Sequence, residues 1–146
     1  MDQRELLKKY HLFTGVTSDD LRALETIVER KGYMAGDLIY SEGEVADALY
    51  LIEMGTVDIV PKGKDQVFAT IGGGQGFGDL AFFERGKRPA SAYTRERTYL
   101  LRIPYERFSK LLTERPELAL LVHRNACVFF AKHFRMIALD MNRRYL

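Results

Sequence analysis

Between Gly72 and Ala92 the chain reads Gly-Gly-Gly-Gln-Gly-Phe-Gly-Asp-Leu-Ala-Phe-Phe-Glu-Arg-Gly-Lys-Arg-Pro-Ala-Ser-Ala, and this segment holds the residue types that recognise an anion. Gly76 and Gly78 carry no Cβ, so the backbone there can come close to a ligand. Asp79 to Phe83 can form one helical turn whose first N–H groups lack an intrahelical acceptor and point the same way. A glycine loop running into a helix N-terminus favours negative charge. Arg88, nine residues after Asp79, can return across that loop and hold two oxygens of one phosphate in fork geometry. Asp79, acceptor-only when ionised, can take a ribose hydroxyl, as an acidic residue does in dinucleotide sites. Each piece also has a plainer reading: Asp79 serves equally as a helix N-cap, and Arg88 as a solvated surface arginine.

Other chemistries find less support. A metal-dependent enzyme on a jelly roll needs histidines on strands, yet His11, His123 and His133 are the only three and all fall on expected helices. No His-x-His occurs and no two are spaced i, i+4, so no metal is expected. Cys127 is the single cysteine, which excludes an internal disulfide; it lies mid-helix among apolar residues, which does not suit a nucleophile. The longest uncharged run, Gln66 to Gly78, has 13 residues and five glycines, too short and flexible for a transmembrane span. With no signal-peptide pattern at the start, a cytoplasmic location is expected. Net charge is +2, but residues 1–60 hold 6 basic and 12 acidic side chains against 16 and 8 in residues 61–146. That asymmetry suits an anion site in the second half or simply solvated arginines; no run of four Lys or Arg indicates a nucleic-acid-binding tail.

Glycine placement shows what must hold this segment. All 12 glycines lie between Gly15 and Gly86, dividing a turn-rich part from a final 60 residues suited to helix. A short helix is expected around Arg4 to Tyr10. A second starts at Ser18-Asp19-Asp20, presents Leu21, Leu24, Ile27 and Val28 on one face, and has Gly32 placed to end it. Short β-prone runs follow at Leu38 to Tyr40, Ala48 to Ile52, Thr56 to Val60, Val67 to Ile71 and Tyr99 to Ile103, with Glu53-Met54-Gly55 as a hairpin turn. Strands this short and closely spaced leave no room for helical crossovers, which predicts an antiparallel sandwich or barrel. Pro104 opens a short helix through Leu112, and Pro116 opens a long one to about Arg143. That last helix carries more apolar surface than one face can hide, predicting one face on its own domain and another on the same helix of a second chain, through Leu121, Val128 and their neighbours.

Phe77-Gly78-Asp79-Leu80-Ala81 followed by Arg88-x-Ala90-Ser91 resembles the phosphate-binding cassette of cyclic-nucleotide-binding domains, as in protein kinase A regulatory subunits, cyclic-nucleotide-gated channels and catabolite activator proteins. Leu12-Phe13-x-Gly15-Val16, Gly36-Asp37-x-Ile39 with Gly43 and Asp47, and Tyr50-x-Ile52-x-x-Gly55-x-Val57 fall where that family has its helices, turns and strands, so the resemblance covers nearly the whole chain. It implies an α+β fold: an antiparallel β-roll of jelly-roll type at 33–103, with the cassette at 76–92, flanked by N-terminal helices at 1–32 and C-terminal helices at 104–146. It implies Arg88 on the cyclic phosphate, amides near Leu80 and Ala81 as further donors, and Asp79 on the ribose 2′-hydroxyl. The base would meet the long helix near Phe129, Phe130, His133 and Phe134, with His133 or Phe134 stacking on it.

Two departures stand out. The ribose-binding residue is usually glutamate, and Asp79 is one methylene shorter. The residue after the arginine usually donates its N–H to the phosphate, and Pro89 has none. Threonine at that position often accompanies guanine preference, so its absence leans towards cyclic AMP over cyclic GMP. The expected function is a stand-alone regulatory module that binds a cyclic nucleotide, signals through the last helix to an effector protein, and pairs as a homodimer without touching nucleic acid or membrane. The alternatives are a ligand-free dimerisation scaffold and the sensor fragment of a catabolite-activator-type transcription regulator.

Overall fold

The computed structural model describes residues 2–63 and 66–145. Asp2 caps α1 (Gln3–Lys9) by accepting from the Glu5 amide at 2.8 Å, and a 3-10 turn follows at His11–Phe13. Thr17, one residue earlier than Ser18, caps α2 (Ser18–Glu25). This helix stops short of Gly32. The β-branched residues Thr26, Ile27 and Val28 leave it, and β1 (Glu29–Tyr33) begins four residues before the expected boundary at 33, with Gly32 inside it.

Two four-stranded antiparallel sheets make the roll. The first is ordered β1, β8 (Thr98–Pro104), β3 (Ala48–Met54), β6 (Gly76–Phe77); the second β2 (Leu38–Tyr40), β7 (Ser91–Thr94), β4 (Thr56–Val60), β5 (Ala69–Gly72). β3 runs on through Met54, and the chain turns at Gly55 at φ 108°, where a Cβ would lie 2.7 Å from the Arg97 carbonyl. The period-2 alternation of β3 explains why it is buried on both faces. Ala48, Tyr50 and Ile52 enter the core between the sheets with Phe77, Val57 and Leu100, whereas Leu49 and Leu51 turn to the helices with Leu101 and Ile103.

The helical layer closes over that second face. α3 (Leu80–Glu84) ends in Arg85 at φ 55°, and α4 (Tyr105–Glu114) starts behind Pro104. α5 (Pro116–Tyr145) has 30 residues and is about 45 Å long. Leu118, Val122 and Ala126 bury against Leu12, Phe13, Leu24 and Phe108. Asn125 donates to the carbonyls of Leu12 and Thr14, both at 2.9 Å, clamping α5 to the 3-10 turn. Leu121 packs half-buried on this same core, so it belongs to the domain face and not to a free face as expected. No helix among the described residues is long and apolar enough to cross a membrane.

Candidate functional site

β6 delivers the chain to the cassette. Phe77 is spent on the core, stacked on Tyr50 with centroids 5.1 Å apart. Gly76 serves packing instead of ligand approach: a Cβ there would meet Tyr10 Cε1 at 2.5 Å. Gly78, at φ 78°, takes the left-handed conformation, and a Cβ would lie 2.9 Å from Arg88 Nη1.

Arg88 is buried, with 2% of its surface exposed. The Val45–Lys87 bridge and an Arg88 amide donating to the Glu44 carbonyl at 2.8 Å pin its backbone beneath the roll. Its Nη1 donates to the Gly78 carbonyl at 3.1 Å and to the Tyr105 hydroxyl at 3.4 Å, and Nη2 donates to the Ala48 carbonyl at 2.5 Å. The guanidinium carbon sits 4.0 Å from the Tyr40 ring centroid, and Nη2 lies 3.8 Å from Asp47 Oδ1. Burial pushes both phenols, Tyr40 and Tyr105, up to about 12, so Tyr105 keeps its proton and donates it to the Gly78 carbonyl. An anion reaching Arg88 must take over donors now held by these carbonyls.

Asp79 precedes α3 but does not cap it with its side chain. Its Oδ2 accepts from the Tyr10 hydroxyl at 2.6 Å and lies 3.3 Å from His11 Nε2. Burial opposes the charge on this carboxyl, but the contacts from His11 and Tyr10 outweigh it and hold the group below its ordinary 3.8. Burial and the Asp79 charge keep the Tyr10 phenol protonated far into the alkaline range. A carboxyl lowered on folding stabilises the fold above its unfolded value and loses that contribution as pH falls through the lower folded value. Wild-type stability is therefore expected to fall more steeply than that of Asp79→Asn as pH drops from about 5 to about 3, read by urea unfolding at each pH. Parallel curves would show that Asp79 contributes no such term.

The remaining expected residues divide. Leu80 is 43% exposed, Ala81 and Ala90 are buried, Pro89 is exposed, and Ser91 Oγ accepts from the Glu42 amide at 2.9 Å. Arg88 is tied to Glu44 and Gly78, and Ser91 to Glu42. His133 and Phe134 do not join them: His133 is exposed with its ring tilted on Phe129 at 4.1 Å, and Phe134 is 73% exposed. α5 meets the cassette earlier, where Phe130 lies edge-on to Phe83 at 6.0 Å, while Phe129 stacks at 3.7 Å on His11 of the 3-10 turn. Sequence reasoning missed Tyr10, His11, Tyr40 and Tyr105, all of which lie outside the cassette along the chain. Among the described residues no group of three or more His, Cys, Asp or Glu side chains is placed to hold a metal ion.

Two antiparallel sheets, a short cassette helix between β6 and β7, and a buried arginine held on the carbonyls of Gly78 and Ala48 define a β-roll domain. The model of the cyclic nucleotide-binding domain matches residues 30–115, and the chain belongs to that family. It is 28% identical over 139 residues to the cyclic AMP receptor protein of Thermus thermophilus, covering 93% of this chain and 62% of that protein. A CRP-like cAMP-activated global transcriptional regulator of Mycobacterium tuberculosis is 28% identical over 118 residues, 79% of this chain and 53% of that one. The crystal structure of Thermus thermophilus catabolite activator protein matches at 28% identity with a TM-score of 0.76, covering 90% of this chain and 62% of that chain. The chain thus spans about half to three-fifths of the length of these curated relatives.

Proposed function

We propose that the chain is a regulatory binding module that takes a cyclic nucleotide, cyclic AMP in preference to cyclic GMP, in the cassette at 76–92. The observation that carries this is the buried Arg88 guanidinium held against the carbonyl of Gly78, the residue that precedes Asp79, whose own side chain is only 13% exposed. An inward cation fits one phosphate charge, and a neighbouring acceptor fits a ribose hydroxyl. Binding exchanges the Gly78 and Tyr105 contacts of Arg88 for phosphate oxygens, so the ligand works against an already satisfied arginine. Pro89 removes one further donor, and a lost hydrogen bond to a charged group weakens affinity by about one to two decades. The module is proposed to act in the cytoplasm by moving α5 against an effector protein.

The test is to titrate the purified chain with cyclic AMP, cyclic GMP and cyclic dinucleotides, following heat and melting temperature together. Saturable binding of cyclic AMP, tighter than that of cyclic GMP, is expected. No response to any of them would favour the second reading, a roll whose arginine stays closed on its own carbonyls and serves only as a scaffold.

Either reading leaves the outer face of α5 to be covered. Leu120, Cys127, Phe134 and Met141 recur every seven residues on the exposed side, and Leu120 and Phe134 are 71% and 73% exposed. That spacing matches the seam of a parallel helix pair, in which equivalent positions of two copies face each other. Mild oxidation at about tens of micromolar is expected to give a Cys127-linked dimer that Cys127→Ser does not form. A monomeric mass by light scattering with no cross-linked product would contradict the pairing.

A further inference from the structure

Both contacts to Asp79 converge on one oxygen, and both come from a part of the chain 68 and 69 residues away. Tyr10 is fully buried in the helical core, and its hydroxyl fixes Oδ2 at 2.6 Å. His11 approaches the same atom at 3.3 Å through Nε2, a buried nitrogen with no aligned hydrogen-bond partner. Its ring is not free to choose another direction. One side stacks on Phe129 of α5 at 3.7 Å with the planes 11° apart, and the Tyr10 ring sits edge-on at 4.5 Å. Asn125 ties the same 3-10 turn to α5 through the Leu12 and Thr14 carbonyls.

We propose that His11 is a positioning residue for the ribose-recognising carboxylate, holding Asp79 by Oδ2 so that its other oxygen faces the ligand, and itself held in place by Phe129 of α5. This rests on the cyclic-nucleotide reading above. An aspartate is shorter than the glutamate usual at this position, so its aim must be set by neighbours rather than by reach. Tyr10 and His11 supply that aim from the helical layer. Because His11 lies between Asp79 and Phe129, docking of α5 and recognition of the 2′-hydroxyl are linked, and the linkage works equally in both directions.

The readout that separates positioning from a structural role is discrimination between cyclic AMP and 2′-deoxy cyclic AMP, which share the phosphate and the base. The wild-type chain should prefer cyclic AMP by about tenfold, the worth of one hydrogen bond to a charged acceptor. His11→Phe keeps the ring on Phe129 and removes the nitrogen. It should bring the ratio close to one while leaving affinity for the 2′-deoxy ligand within about twofold. Phe129→Leu should lower the ratio as well, and the double variant should lose no more discrimination than His11→Phe alone, since both act on the same carboxylate. His11→Gln, which retains an N–H, should restore part of the preference. Wild-type discrimination retained in His11→Phe would overturn the proposal and leave the ligand site intact. Failure of the wild-type chain to bind either nucleotide would overturn both.

Discussion

Arg88→Ala is expected to abolish the melting shift that cyclic AMP produces in the wild-type chain and to lower stability even without ligand. The two effects have separate causes. The ligand effect follows from losing the only buried counter-charge the cassette offers among the described residues, and a charged hydrogen-bonded pair broken on one side costs about 2–5 kcal/mol, enough to remove micromolar binding. The ligand-free effect follows because Arg88 donates to the Gly78 and Ala48 carbonyls and lies on the Tyr40 ring. Leaving a buried carbonyl without a donor costs about 1–3 kcal/mol. Pro89→Ala should act in the opposite direction on binding, because it restores a backbone donor and raises affinity by about tenfold, the lower end of what one such bond is worth. Equal ligand-induced shifts in wild type and Arg88→Ala would place the ligand elsewhere.

Phe108→Ala is expected to be the most destabilising change of the helical layer. Phe108 is fully buried and meets Phe13 edge-on at 5.8 Å and Phe82 at 4.9 Å, so it joins α4 to the 3-10 turn and to the cassette helix. Truncating a buried phenylalanine costs about 3–5 kcal/mol, which for a chain of this size lowers the melting temperature by roughly 10 °C. Urea unfolding should show a lower midpoint with an unchanged slope. Because Phe82 loses its support, ligand affinity should fall too. A loss below about 1 kcal/mol would mean that the layer closes around the gap at little cost.

The elements that hold this site were legible where the pattern is local. β2 and β4 fall where β-branched and aromatic residues stand between turns, and α5 starts at the proline that reads as a helix opener. β1 was not legible, because Glu-Arg-Lys-Gly-Tyr has no alternating apolar face; the strand is made by pairing Glu29 to Tyr33 with Arg102 to Thr98. β7 was hidden inside the cassette, whose Ala-Ser-Ala suggests a loop until Ser91 to Thr94 pair with Val60 to Val57. The site shows the same division. Arg88 and Asp79 are visible from spacing, whereas Tyr10 and His11 reach Asp79 only because the helical layer folds back over β6. For Gly76, the residue type was visible but its purpose was not, since what it accommodates is the Tyr10 ring.

A cyclic-nucleotide phosphate on Arg88 should be visible in the Arg88 side-chain N–H resonance of a chain labelled with 15N-arginine, assigned by its loss in Arg88→Lys and followed during titration with cyclic AMP. The resonance is predicted to move in step with calorimetric saturation and to stay in place with adenosine, which has the base and ribose but no phosphate. Saturation by cyclic AMP with an unmoved Arg88 resonance, or no binding up to about 1 mM, would contradict it.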